Sequence, residues 1–194
     1  MMINKAISVL LLMSIFVFTA TAQQKSNEDI HITINPEETL FTIPDNFTGF
    51  GYETSAVANK GFFSDTNHYM VQLYKTLGPK GLIRIGGIIG DWTHYKKEGV
   101  LVASPQKQKT IVNQDVLNDL GRFLQKTGWQ VMWTLNLGTG TKEEAVEAAV
   151  AVQKALGGGL HSFEIGNEVS LLKRFKDYAD YHKTYLEYKR RSEQ

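Results

Sequence analysis

The sequence predicts an α/β chain in which buried strands alternate with amphipathic helices around a parallel sheet. Three observations carry that prediction. Short apolar, β-favouring runs recur four times, over residues 47–52, 82–85, 130–137 and 160–165. Apolar residues between and after them return every three or four positions, the period of a helix with one buried face. Strands that alternate with helices in this way pair in parallel through right-handed crossovers.

The chain begins with a segment that takes no part in that pattern. Lys5 precedes an apolar run over residues 6–18, broken by Ser8 and Ser14, and Ala20-Thr21-Ala22 is a small-x-small site before Gln23. This is the pattern of a secretory signal peptide, residues 1–22, cleaved after Ala22. The mature protein is therefore expected to be secreted or periplasmic, without a membrane partner once the signal is removed. Retention of the run as an anchor is the alternative, although the run is short for a membrane span. No cysteine follows it, which excludes lipid attachment through a thiol.

Residues 23–44 read as an N-terminal β segment. Ile30, Ile32 and Ile34 alternate with His31 and Thr33, the period of a half-exposed strand over residues 30–35. Residues 40–43 are expected to pair back onto it through an Asn35-Pro36 turn.

The strand–helix units occupy residues 45–194. The first strand carries Gly49 and Gly51, and Met70, Leu73, Tyr74 and Leu77 then mark one face of a helix over 67–77, stopped by Gly78-Pro79. The second strand ends in Gly86-Gly87, and a polar stretch over 90–113 reads as a long loop. Val116, Leu120, Phe123 and Leu124 mark the next helix. The third strand is nearly continuous in apolar residues, which suits a strand covered on both faces. Thr141 and Glu144 have the spacing of a capping box, in which each side chain satisfies an exposed backbone amide of the first turn. The helix it opens carries Ala145, Ala149, Val152 and Leu156 and ends at Gly157-Gly158-Gly159. After the fourth strand, a helix from about Asp177 presents Tyr178, Tyr181, Tyr185 and Tyr188, read as a packing stripe.

Composition removes several function classes. With 42% hydrophobic and 21% charged residues, the chain is neither disordered nor a multi-span membrane protein. Without Lys5 the basic residues number 20, equal to the 20 acidic ones, so no nucleic-acid footprint is expected. There are no cysteines, and the five histidines show no paired metal spacing, so neither a metal nor a cofactor is expected. Gly138-Thr139-Gly140 lacks the Lys-Ser/Thr of a phosphate loop. Ser55, Ser64 and Ser162 lack the context of a nucleophile elbow. Asn46-Phe47-Thr48 is a glycosylation sequon, meaningful only on a eukaryotic secretory route.

In parallel α/β folds, functional groups gather at the carboxyl ends of the strands. There stand Glu53, Asp91, Asn136 and the pair Asn167-Glu168. Glu53, Asp91 and Asn136 are candidate substrate contacts, and Asp91 is equally readable as a residue that orders its loop. Glu168 has the setting of a general acid, which needs a carboxyl partly withdrawn from water, or of a helix cap. Alternation along the strands turns Arg84 and Glu164 to the same interior. A structural ion pair is the favoured reading, since a buried guanidinium needs a carboxylate. The alternative has Arg84 orienting a catalytic carboxylate.

Three stretches together resemble a known group of enzymes: Gly49-Phe50-Gly51-Tyr52-Glu53, Leu82-Ile83-Arg84-Ile85-Gly86-Gly87 with Asp91, and Phe163-Glu164-Ile165-Gly166-Asn167-Glu168. The chain is similar to glycoside hydrolases of clan A, and most of all to family 79, the β-glucuronidase and heparanase-like enzymes. The resemblance spans roughly residues 45–190. It implies a partial (β/α)8 TIM barrel of about four βα units, acting on an oligosaccharide or glycoside. It further implies that Glu168 is the general acid/base and that Asn167 binds the sugar 2-hydroxyl. A retaining mechanism also needs a nucleophilic carboxylate about 5–5.5 Å away, which in the clan ends the seventh strand, beyond the four seen here. Ile88 departs from the pattern, in which small polar residues are common after the double glycine.

Three functional expectations follow. The first is the N-terminal portion of a secreted retaining glycoside hydrolase, holding the acid/base without the nucleophile. The second is an exported, non-catalytic carbohydrate-binding α/β domain. The third is a half-barrel that self-associates to close its exposed sheet edges.

Overall fold

The computed structural model describes residues 30–104 and 109–192. The expected signal peptide, residues 1–22, lies outside the described residues. The chain divides into two units, Met1–Thr42 and Ile43–Gln194.

In the first unit the expected strand over residues 30–35 does not form, nor does its pairing with the following segment. Ile30, Ile32 and Ile34 are each more than four-fifths exposed. What survives is the turn: the Asn35 carbonyl accepts the Glu38 amide at 3.2 Å, and its side-chain oxygen accepts the Glu37 amide at 3.2 Å. Alternating isoleucines favour a sheet surface, but a strand needs a neighbour to take its backbone hydrogen bonds. The described residues of this unit supply none.

The second unit holds β1 (Gly49–Glu53), β2 (Leu82–Gly86), β5 (Gln130–Leu135) and β6 (Leu160–Ile165) in one parallel sheet of order β1-β2-β5-β6. Helix α2 (His68–Leu77) lies between β1 and β2, α4 (Gln114–Thr127) precedes β5, α5 (Lys142–Leu156) joins β5 to β6, and α6 (Tyr178–Ser192) follows β6. This is the expected α/β architecture, a parallel sheet with helices as in part of a TIM-barrel-like fold. Two short helical turns, α1 (Ser55–Ala58) and α3 (Gly87–Gly90), follow β1 and β2 directly.

The helices start where side chains can satisfy their first amides. Asn67 accepts from Met70, Asn113 accepts from Val116, and Thr141 and Glu144 form the expected capping box. Gly128 ends α4 in a left-handed conformation, φ 81°. A Cβ there would lie 2.5 Å from the Pro79 carbonyl oxygen, so only glycine fits the turn.

Ile83, Ile85, Val131, Trp133 and Leu135 point to one side of the sheet and are buried against the helices. An aromatic cluster extends that core: Tyr74 meets Phe50, Phe123 and Trp129 at ring-centroid distances of 5.9, 5.2 and 4.7 Å. The other side of the sheet is partly open: on the third strand, expected to be covered on both faces, Met132 is part-exposed there while Thr134 is buried. Arg84 and Glu164 keep 36% and 30% of their side-chain surface there, and Met132 and Ser162 are also partly exposed. The third strand reads as two-sided because Met132 and the β-favouring Thr134 do not break its apolar run.

The expected long loop over residues 90–113 contains two three-residue strands, β3 (Thr93–Tyr95) and β4 (Thr110–Val112), paired in parallel. Three residues are too few to show a period in sequence. The tyrosine stripe of α6 packs unevenly: Tyr188 is 3% exposed and donates to the Gly140 carbonyl, whereas Tyr178 is 74% exposed. Among the described residues no helix is long and apolar enough to cross a membrane.

Candidate active site

Parallel pairing brings the carboxyl ends of β1, β2, β5 and β6 to one edge of the sheet. The partly open face and that edge carry a connected set of polar groups. Arg84 forks onto Glu164, Nε to Oε2 at 2.9 Å and Nη2 to Oε1 at 2.9 Å. The same Nη2 donates to Asn167 Oδ1 at 2.8 Å. Thr134 Oγ1 donates to Glu164 Oε2 at 2.6 Å. The ion pair expected between strands two and four is therefore present, and it also orients Asn167. Gly86 makes room for it, since a Cβ there would stand 1.9 Å from Thr134 Oγ1.

Asp91 follows α3 and is 2% exposed. Its Oδ1 accepts the backbone amides of Leu137 and Gly138, each at 3.0 Å, and its Oδ2 accepts the Asn167 amide at 2.9 Å. Of the two readings of Asp91, its hydrogen bonds fit the loop-ordering one. Burial raises the Asp91 carboxyl above its ordinary value, the three amides oppose that rise, and the Glu164 charge adds to it.

Asn136 likewise spends its polar atoms on hydrogen bonds within the protein. Its Nδ2 donates to the Thr93 carbonyl and to Thr139 Oγ1, and its Oδ1 accepts the amides of Thr139 and Gly140. Those are all the bonds an amide side chain ordinarily makes. Glu53 is exposed, but its Oε2 accepts the Ile89 amide at 2.8 Å. A Cβ on Gly87, which has φ 68°, would come within 2.6 Å of the Glu53 carboxylate, so the double glycine lets this loop close over it.

Glu168 differs from the others: it is exposed, which corrects the expectation of a carboxyl partly withdrawn from water. It is the one non-glycine among the described residues with positive φ, at φ 42° and ψ 49°. Such a conformation costs an L-residue about 1–3 kcal/mol and is concentrated at functional sites. It leads into a three-residue 3₁₀ turn, Val169–Leu171, yet makes no side-chain cap to it, so the capping alternative has no hydrogen bond behind it. The side chain lines a cleft of about 490 Å3 together with Asp91, Asn167, Ile88, Trp92, Leu171, Leu172, Lys173 and Arg174. A larger hollow of about 770 Å3 lies at the opposite, amino ends of β2, β5 and β6, beside Lys80, Trp129 and Gly157–Gly159. Its carboxylate, Asp45, is paired with Lys80 at 2.9 Å.

Sequence reading missed Thr134, Trp92 and Arg174. Thr134 was within reach, because alternation along β5 turns it toward Glu164. Arg174 donates to the carbonyls of Leu137 and Gly140 from an irregular loop, where no period signals contact. Among the described residues no group of three His, Cys, Asp or Glu side chains is placed to hold a metal.

No protein-family model matches the chain, and no curated protein sequence matches it. Among solved structures it is similar to a 4-O-α-L-rhamnosyl-β-D-glucuronidase from Fusarium oxysporum 12S, crystallised as its Rha-GlcA complex. The TM-score is 0.52 at 21% identity, and the match covers 67% of this chain and 29% of that one. The chain thus has a glycoside hydrolase-like fold and spans less than a third of that enzyme's length.

Proposed function

We propose that this chain is the acid/base-bearing portion of a secreted, retaining glycoside hydrolase of the family 79 type, acting on β-glucuronide-like substrates. The observation that carries the reading is Glu168: a carboxylate with no partner among the described residues, in a strained backbone conformation, lining a cleft at the carboxyl edge of a parallel sheet. Its neighbour Asn167 is anchored by backbone and side-chain oxygen, which leaves its Nδ2 hydrogens to bind a sugar hydroxyl. Glu168 would donate its proton to the glycosidic oxygen as the bond to the anomeric carbon breaks. It would then take a proton from the water that releases the sugar.

The covalent step needs a second carboxylate. Asp91, the other one lining the cleft, is bound by three amides, and Glu164 is bound by Arg84 and Thr134. Glu53 at the end of β1 is tied to the Ile89 amide and does not line the cleft, so the nucleophile is expected from outside the described residues and the chain is expected not to hydrolyse aryl β-glycosides. The test is a titration with glucuronate-bearing oligosaccharides followed by amide NMR. Saturable shifts at Trp92, Asn167 and Glu168 are expected. Their absence would sink the site assignment. Turnover that vanishes in Glu168→Gln would sink the claim of catalytic incompleteness, and turnover that persists there would sink the acid/base role. A non-catalytic, exported carbohydrate-binding domain is the second reading, favoured by a cleft with a single carboxylate that has no partner among the described residues. Binding that survives Glu168→Gln unchanged would support it.

A further inference from the structure

The segment that carries Glu168 is held at several points, and the deepest of them is one buried carboxylate. Asp91 takes amides from the loops after β5 and β6 while belonging to the loop after β2, so a single side chain ties three loops together. Its own carbonyl accepts the Thr139 amide at 3.1 Å and the Thr139 hydroxyl at 2.8 Å, which strengthens the tie to the β5 loop. Gly138 approaches so closely that a Cβ there would stand 2.7 Å from Asp91 Cβ.

Glu168 makes no side-chain bond that would hold its unusual backbone in place. The backbone on either side of it is held instead. Before it, Gly166 at φ 75° donates its amide to the Leu135 carbonyl at 3.1 Å, and the Asn167 amide donates to Asp91. After it, the Glu168 carbonyl accepts the Leu171 amide at 2.8 Å. The left-handed conformation is costly for glutamate, so it persists only while the flanking bonds over-determine it. Of those bonds, only the one at Asn167 uses a charged acceptor withdrawn from water, the kind that is strongest and most directional.

We propose that Asp91 is a positioning residue that holds Glu168 in its left-handed conformation, acting through the Asn167 amide, and so aims the Glu168 carboxylate into the cleft. Its bearing on chemistry rests on the reading of Glu168 as the acid/base. The tether itself can be measured without turnover, so each can fail alone.

In the full chain, a strong intraresidue amide–Hα Overhauser contact reports positive φ at Glu168. Asp91→Asn places an NH2 against one set of amide donors. It is expected to abolish that contact at Glu168 while the methyl resonances of Ile83, Ile85 and Val131 stay in place. Persistence of the contact in the folded variant would overturn the proposal. Should the variant not fold, hydrogen exchange in the unaltered chain decides. The Asn167 amide is expected to exchange at least about 100-fold slower than an unprotected loop amide. Exchange at the unprotected rate overturns the tether. In a form that turns over substrate, Asp91→Asn is expected to lower kcat with KM little changed, since the group being misaimed acts on the leaving oxygen.

Discussion

On the helix-covered face of the four-stranded sheet, Ile83, Ile85, Val131, Trp133 and Leu135 are at most 2% exposed. One residue out of phase, Arg84 on β2 and Glu164 on β6 keep about a third of their side-chain surface, while Thr134 on β5 between them is buried. The covered face is joined by non-directional apolar contact, and its contribution follows the area removed from water. The other face is joined by directional bonds between Arg84, Thr134, Glu164 and Asn167, of which Arg84 and Glu164 are part-exposed and Thr134 is buried. The first face makes the domain stable, and the second places a pair of polar groups beside Glu168.

That contrast can be broken by substitution. Trp133→Ala, on the covered face, is expected to cost about 3–5 kcal/mol in denaturant unfolding, the range for a large aromatic removed from a core. A loss below about 1 kcal/mol would mean that this face is not the core. Arg84→Met is expected to cost less, about 1–2 kcal/mol, because its partner is part-solvated and keeps the Thr134 bond. The same variant should loosen the Asn167 side chain, visible as broadened Nδ2 resonances, and unchanged resonances would separate Arg84 from the site.

The smallest effect is expected at the rim of the core, where the Tyr74 hydroxyl donates to that of Tyr52 at 3.0 Å. Tyr74→Phe should cost about 1 kcal/mol at neutral pH. Burial, and then the Tyr52 hydroxyl, hold the Tyr74 phenol well above its ordinary value of 10.0. The unfolded chain therefore ionises first, and the stability fully present below pH 10 is lost as pH rises past it. Unfolding curves in alkali should show that loss in the native chain and a shallower one in Tyr74→Phe. Equal slopes would place the tyrosine in contact with water.

Legibility in the sequence followed the same division. The strands and long helices of the second unit were readable because burial against helices imposes a period, and one helix start was readable from the Thr141–Glu144 pair, whereas the Asn67 and Asn113 caps emerged only in the structure. The strand over residues 30–35 was read from an equally clear period and does not form. Alternation describes which side of a strand would be apolar, whereas forming the strand depends on a partner. In the site, the Arg84–Glu164 pair followed from alternation. The difference between Asp91 and Glu168 did not, because both are acidic residues just beyond a strand.

By itself, the sequence determined the α/β order of elements, the capping box that starts one helix and the strand ends at which polar groups collect. These depend on residues a few positions apart, whose relation is set by helical or strand geometry. Only the tertiary structure decided that one face of the sheet is partly open and that Asp91 and Asn136 spend their polar atoms inside the protein. It also decided that Glu168 stands in a left-handed turn with no partner among the described residues. Those outcomes depend on which backbone amides arrive from loops 46 and 76 residues away, and no local period records that arrival.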